Sequence, residues 1–146
     1  LAVEPGGAGR LSVTAGWVAL EDRGRQSLVP AGAACETEPG HGPGTAFFLD
    51  APETFKESLH AFDFEAGGDR ALAALLAGAR RRDSLTLWHL VSRVDRETTD
   101  GAIDRDRIVT ALAELAPMPA GVEREGILAL DEGMLTRWRE DLARHW

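Results

Sequence analysis

The sequence predicts an α+β fold, in which an antiparallel β-meander is followed by a small antiparallel helical lobe. Apolar residues alternate with a period of two before residue 50 and recur with the helical period of 3.6 after it. Short glycine-containing turns also separate the alternating segments of the first half. We therefore expect two parts, a β part over residues 1–48 and an α-helical lobe over residues 49–146.

Five strands are predicted from the alternation of apolar and polar residues and from the turn residues between them. They cover residues 1–3, 10–14, 17–21, 26–29 and 33–37. Glycine and polar residues predict the turns at 4–7, 15–16, 22–24 and 31–32. Cys35 is the only cysteine and lies in the last of these strands, where we expect it to act as a small apolar residue.

The second half predicts short helices that begin at aspartates, because aspartate side chains favour the N-cap position. The expected N-caps are Asp50, Asp69, Asp83 and Asp131. The helices are predicted at about 51–62, from 69 to 79, from 83 to 94, at 104–115, at 122–130 and after 131. A polar loop is expected at 95–102, and helices this short are expected to depend on tertiary burial.

The charge balance excludes several classes of function. The chain has 16 lysine and arginine residues against 24 carboxylates, a formal net charge of −8. This charge repels phosphate backbones and anionic lipid headgroups, so we expect neither nucleic acid nor a bare membrane as partner. Lys56 is the only lysine, which argues against Schiff-base chemistry. No apolar run approaches the roughly 20 residues that a membrane-spanning helix needs.

No pattern in the sequence points to catalysis, a cofactor or a metal. The glycine-rich segment 39–45 lacks the Gly-Lys-Ser/Thr of a phosphate-binding loop, and the chain has no Gly-x-Ser-x-Gly motif for a nucleophilic serine. The donors Cys35, His41, His60 and His89 do not stand at the close spacing of a structural zinc site. We therefore expect a protein that is not an enzyme and has no catalytic, cofactor-binding or metal-binding residues.

Large aromatic residues provide the candidate binding surface. Trp88 and Trp138 follow helical apolar stripes, so we expect them in the core. Trp17 directly follows a glycine where a strand bends, so we expect it to cover a seam or to be displayed to a partner. His89, taken alone, is expected to be a packing histidine with one hydrogen bond. The candidate partner or ligand surface consists of Trp17, Phe47, Phe48 and His89.

The segment from Leu11 to Cys35 resembles the closing repeats of the FecR domain. The resemblance rests on the run Leu-Ser-Val-Thr-Ala-Gly-Trp-Val from Leu11, the Gly-Arg turn at Gly24 and the run Leu-Val-Pro-Ala-Gly-Ala from Leu28. It implies the C-terminal part of a partial β-sandwich or solenoid-like sensor domain. The roles it implies are structural only: a bend at Gly16, a strand start at Trp17 and Val18, and a turn at 31–32.

Residues 50–146 also resemble the tails of bacterial FecR-type proteins, through Leu-Thr-Leu-Trp-His-Leu from Leu85 and Gly-Val-Glu-Arg-Glu-Gly-Ile-Leu from Gly121. The family consists of extracytoplasmic sensor domains on single-pass membrane proteins, of which the best known act as anti-sigma regulators. The resemblance thus implies a periplasmic or otherwise extracytoplasmic bacterial protein. This sequence shows neither the cytoplasmic helices that hold a sigma factor nor a membrane span, so a role in ferric citrate signalling does not follow.

The beginning of the chain and the two halves together lead to two hypotheses. Because the chain starts in mid-pattern without a methionine, we expect a fragment, and an upstream membrane anchor can precede it. The first hypothesis is a non-enzymatic sensing or scaffolding domain that binds a protein partner at an exposed sheet edge or in a groove between the lobes. The alternative is a small-ligand-binding or hydrolytic domain with a pocket at the seam between the β and α lobes.

Overall fold

A computed structural model confirms the α+β class, with antiparallel strands first and helices after them. It describes residues 2–3, 8–94 and 99–146. The strands are β1 (Ala2–Val3), β2 (Gly9–Ser12), β3 (Trp17–Asp22), β4 (Arg25–Pro30), β5 (Ala33–Glu38), β6 (Gly42–Pro43) and β7 (Phe47–Phe48). The helices are α1 (Glu53–Phe64), α2 (Gly68–Gly78), α3 (Ser84–Arg93), α4 (Thr99–Leu115), α5 (Arg124–Leu128) and α6 (Glu132–Leu142). The chain divides into two compact units, Leu1–Ala79 and Arg80–Trp146.

The strands β2 to β5 form one long, interrupted hairpin, so the expectation of a meander is wrong. A meander would pair β2 with β3. Here β2 pairs with β5 as far as Ser12 opposite Ala34, and β3 pairs with β4 from Trp17 opposite Pro30 onward. Among the described residues, β3 pairs with β4 alone, whereas β2 lies between β1 and β5.

The two expected glycine turns lie opposite each other, which explains why they do not reverse the chain. The amide of Ala31 donates to the carbonyl of Gly16 over 2.9 Å, and the amide of Gly32 donates to the carbonyl of Val13 over 2.8 Å. Gly16 and Gly32 have φ of 70° and 83°, in the left-handed region that favours glycine. The two glycines thus interrupt both strands of the hairpin at one level, and β3 begins at Trp17 as expected.

The chain reverses at the far end of this hairpin, in a loop of the two residues Arg23 and Gly24. Both have positive φ, 53° and 76°, which is the conformation of a type I′ turn. The backbone twist of this turn matches that of the flanking strands, so it closes the ladder with Asp22 opposite Arg25. A two-residue loop therefore sets the register of β3 against β4.

Two short strands that the sequence analysis missed complete the larger sheet. β6 and β7 both pair with β5, through Thr37 opposite Pro43 and Ala34 opposite Phe47. Elements of two residues are too short to show an alternating pattern. The buried apolar residues of this unit include Val29, Ala33, Ala34, Cys35, Phe48, Phe55, Leu59, Leu72 and Leu75. Cys35 is buried in β5 as expected.

The first two helices belong to the same compact unit as the strands. The expected division between residues 48 and 49 coincides with the change of secondary structure, but the unit ends at Ala79. The side chains of Asp63 and His60 in α1 hydrogen-bond to Thr45 and Glu36 in the β part. These contacts and the apolar face of α1 explain why the helix packs with the strands.

The second unit is helical, with α3 buried along most of its length. The expected inward residues of this helix, Leu87, Leu90, Val91 and Val94, are all buried. Buried side chains from the other helices include Ile108, Val109, Leu112, Ile127, Trp138 and Leu142. The buried guanidinium of Arg105 donates to the carbonyls of Val91 and Val94, which satisfies acceptors at the end of α3.

The aspartates expected at helix starts have different outcomes. Asp131 is confirmed, since its carboxylate accepts from the amide of Met134 over 2.9 Å. Asp50 and Asp69 are not N-caps: α1 starts three residues after the first, and the second lies inside the first turn of α2. Asp83 is at the N-cap position of α3, but its carboxylate instead accepts from the backbone and side chain of Arg80.

Other boundaries shift by a few residues. The fourth helix starts at Thr99, earlier than the expected residue 104, and the fifth is shorter than expected. The turn expected at 4–7 and the first part of the loop expected at 95–102 lie outside the described residues. None of the described helices has the length and apolarity to cross a membrane.

Candidate functional site

The structure keeps only one of the four candidate surface residues at the surface. Trp17 is 69% exposed at the start of β3. Phe47 and Phe48 are buried in β7, because they pair with β5 and fill the core of the first unit. His89 is buried in α3, within the second unit. The expectation that Phe47, Phe48 and His89 present a surface to a partner is therefore wrong.

His89 has the packing role that the sequence analysis expected. Its Nδ1 donates to the carbonyl of Leu85 over 2.8 Å, and its ring lies edge-on to that of Trp88. Burial lowers the pKa of His89 to about 3, and the charges of Arg93 and Arg139 add to this effect, while the bond to Leu85 opposes it. The imidazole is therefore neutral at physiological pH.

The two faces of the β3–β4 hairpin differ in burial on β4, whereas β3 has no buried residue and even Val18, opposite Val29, is 37% exposed. Side chains directly opposite each other share a face, so Trp17 and Pro30 lie beside Ala19 and Leu28. We call these four residues the Trp17 face; Trp17 and Ala19 are exposed, and the other two are half-buried. On the other face Val29 and Ser27 are fully buried.

The outer edge of β3 presents backbone groups that pair with no strand among the described residues. In an antiparallel ladder, hydrogen-bonded pairs alternate with non-bonded pairs. Because Ala31 donates to Gly16, the alternation leaves the N–H and C=O groups of Trp17, Ala19 and Glu21 pointing away from β4. Pro30 opposite Trp17 fits this assignment, since proline has no N–H to contribute to the ladder.

An open groove lies next to the far end of this edge. One side is formed by residues 20–23 of β3 and the turn, and the other by residues 37–40 and Gly42–Pro43. No residue of β4 lines it, so it follows the β3 side of the hairpin. We call it the tip groove; its volume is about 320 Å³.

A polar cluster joins α1 to the strands. The carboxylate of Glu36 accepts from Arg10 over 2.8 Å and lies 2.7 Å from Nδ1 of His60. Burial raises the pKa of Glu36, but the hydrogen bonds from Arg10 and His60 outweigh it, so the net shift is downward. The guanidinium of Arg10 also lies 5.7 Å from the ring centroid of Phe47.

The same junction contains a buried carboxylate. Asp63 accepts from the backbone amide of Thr45 over 2.7 Å and from its hydroxyl over 2.8 Å. A small cleft here is lined by Glu36, Thr45, Phe47, Lys56, Leu59, His60, Asp63 and Phe64. Its polar groups bond to one another across the junction, so the cluster holds the helix on the strands. Among the described residues, no group of three or more His, Cys, Asp or Glu side chains could hold a metal ion.

Trp17 was expected at the surface, whereas nothing in the alternating pattern identified Ala19 and Glu21 as residues of the outward edge. The loop at Arg23 and Gly24 was a usable signal, because a two-residue loop dictates which residues of the flanking strands face each other. Counting from that loop places Trp17 opposite Pro30 and thereby identifies the outward-facing edge. No local feature of the sequence predicts the tip groove, because part of its second side is β6, which pairs with β5 only in the folded chain.

Comparison with known proteins provides no family assignment. No family model matches the chain, and no curated protein or solved structure gives a significant match.

Proposed function

We propose that this protein is a non-enzymatic binding module that takes up an extended segment of another protein as an added strand along the outer edge of β3. The observation that carries the proposal is the outer edge of β3, which pairs with no strand in the part of the chain that the structure describes and lies beside an exposed tryptophan. Strand addition uses main-chain hydrogen bonds for affinity and side-chain contacts for specificity. The outward N–H and C=O groups of Trp17, Ala19 and Glu21 are available for the main-chain hydrogen bonds. The Trp17 face is available for the side-chain contacts.

The exposed tryptophan makes a large contribution available to a partner. A tryptophan side chain has roughly 200 Å² of surface, of which Trp17 leaves 69% exposed. At about 25 cal/mol per Å², covering that area is worth about 3 kcal/mol before the costs of association. Its position beside the outward backbone groups means that one added strand can use both.

The cellular context is part of the same proposal. We place this binding module in an extracytoplasmic, FecR-like regulatory or scaffolding protein of a bacterium, in which an upstream membrane anchor is compatible with the resemblance. The acidic charge of the chain supports a protein partner over nucleic acid or an anionic membrane.

A proline substitution in the edge tests the binding mode. A library of random peptides displayed on phage is selected against the full chain, and enriched peptides are measured against Ala19→Pro. This variant removes an outward N–H without removing a bond to β4, so the hairpin is expected to stay intact, as it does with Pro30. We expect at least a tenfold loss of affinity, about the worth of one hydrogen bond.

Ala19→Thr is the matched control, because it changes the side chain at the same position and keeps the N–H; it should lose much less affinity than Ala19→Pro. Trp17→Ser is a second variant that leaves the ladder untouched, and it should weaken binding about 100-fold. Thermal unfolding shows whether each variant is folded. Enriched peptides that bind all variants equally, or a selection that enriches none, would contradict the proposal.

The location is tested separately. Alkaline phosphatase, which is active only where disulfides form, is fused to the C-terminus of the full-length gene product in a bacterial host. We expect an active fusion. An inactive fusion together with an active cytoplasmic reporter at the same position would refute the extracytoplasmic assignment and leave the strand-addition test unaffected.

A further inference from the structure

The tip groove extends the open edge of β3 at the end away from Trp17. Its β3 side includes Leu20, Glu21 and Asp22, and its other side includes Glu38. A strand added along β3 therefore runs from Trp17 at one end of β3 to the tip groove at the other end. A side chain near that end of the strand meets the groove.

The charges that line the tip groove are mainly negative. It contains the carboxylates of Glu21, Asp22 and Glu38 against the single guanidinium of Arg23. The Nε atom of Arg23 lies 3.6 Å from Oδ2 of Asp22, and the two side chains are 63% and 65% exposed. Arg25, opposite Asp22 on β4, is not among the lining residues. Two carboxylates thus remain beyond this ion pair.

The uncharged lining suits a long side chain. Pro39 and Pro43 provide ring surface, and Gly40 and Gly42 carry no side chain that would narrow the groove. Gly42 is packed tightly, since an added Cβ would lie 2.9 Å from the carbonyl oxygen of Asp22. A long basic side chain buries an apolar stem while its charge stays near carboxylates and water.

We infer that the segment bound along β3 carries a basic side chain, arginine in the first instance, which lies in the tip groove and pairs with Glu21 and Glu38. This inference rests on the proposed function and specifies the chemistry of the partner. A second copy of this chain is a poorer occupant, because each copy carries a net charge of −8 and the two repel. An acidic segment is disfavoured for the same reason.

Synthetic peptides of about eight residues, a usual strand length, test this. They alternate threonine and valine and carry arginine, citrulline or glutamate near one end, with both ends tried because strand direction is open. Citrulline has the shape of arginine without its charge. Binding to the full chain is measured by fluorescence anisotropy of labelled peptide at about 0.01 M and about 1 M salt, where charges are screened beyond roughly 30 and 3 Å.

We expect the arginine peptide to bind about fivefold more tightly than the citrulline peptide at low salt, and high salt to abolish this difference. The double variant Glu21→Gln, Glu38→Gln should abolish it too, so that the arginine and citrulline peptides bind this variant equally. The matched control Glu57→Gln, Glu65→Gln removes two exposed carboxylates elsewhere in the first unit and should keep the preference.

The failure modes can be told apart. If the arginine and citrulline peptides bind equally and both lose binding in Ala19→Pro, the edge proposal stands and the groove inference is overturned. If no peptide binds, or if Ala19→Pro has no effect, the proposed function itself fails and the inference falls with it. A wild-type chain that sediments as a dimer and an Ala19→Pro variant that sediments as a monomer would assign the edge to a second copy and overturn the inference.

Discussion

Removing the carboxylate of Asp63 tests the junction that holds α1 on the strands. In Asp63→Ala, Thr45 loses both acceptors, and Thr45 is only 1% exposed. A hydrogen bond to a charged acceptor has a net worth of about 1.5 kcal/mol at the lower end of its range. We therefore expect the free energy of unfolding of the first unit to fall by about 3 kcal/mol.

Two further variants separate the bonds. Thr45→Val removes the hydroxyl and keeps the backbone amide, so it should cost about 1.5 kcal/mol. Asp63→Asn keeps one oxygen as acceptor for that amide, so it should cost less than Asp63→Ala. In the Asp63→Ala, Thr45→Val double variant the two losses should not add, because they remove the same hydroxyl–carboxylate bond.

Urea unfolding followed by circular dichroism measures the change in the free energy of unfolding. Hydrogen exchange of the peptide that contains Thr45 and of peptides from α1 shows where the structure is weakened. We expect faster exchange in α1 and unchanged exchange in the second unit, since both partners lie in the first unit. A loss below about 1 kcal/mol in Asp63→Ala, the net worth of one neutral hydrogen bond, would refute the assignment of this carboxylate as a structural anchor.

Two other predictions concern the second unit and the hairpin loop. The pKa of His89 is lowered to about 3 in the folded state, so between about pH 6.5 and pH 3 the unfolded chain binds a proton that the folded chain does not. The free energy of unfolding should therefore fall by up to about 1.4 kcal/mol for each pH unit by which the pH is lowered through this range. Melting curves of wild type and His89→Asn at pH 7 and pH 5 test this, and equal pH dependence of the two would contradict it. Gly24→Ala should cost about 1 to 2 kcal/mol, because Gly24 has φ of 76° and no atom within 4 Å of an added Cβ, which leaves backbone strain as the only cost. Gly78→Ala at the end of α2, where an added Cβ meets Phe55 at an ordinary 4.0 Å, is the control and should be neutral or stabilising in the same urea titration; equal losses in both variants would argue against backbone strain.

Local features of the sequence determined the class of fold and most of the elements. The strands at 17–22, 25–30 and 33–38 lie within a residue of their expected positions, because glycine turns and alternation act over a few residues. The burial of Leu87, Leu90 and Trp138 likewise follows from helical spacing alone. Expected N-caps failed where the chain offered another start, as at Asp50, since capping adds only about 1 kcal/mol to a helix start that packing can move.

Only the tertiary structure decided how these elements combine. Whether a glycine turn reverses the chain or bends two strands together depends on its partner across the ladder, and Gly16 and Ala31 meet only in the folded hairpin. The same long-range pairing buries Phe47 and Phe48 against β5 and leaves Trp17 exposed, although all three are large aromatics in strands. Alternation shows that a strand has two faces, but which face is covered depends on contacts between residues distant in sequence.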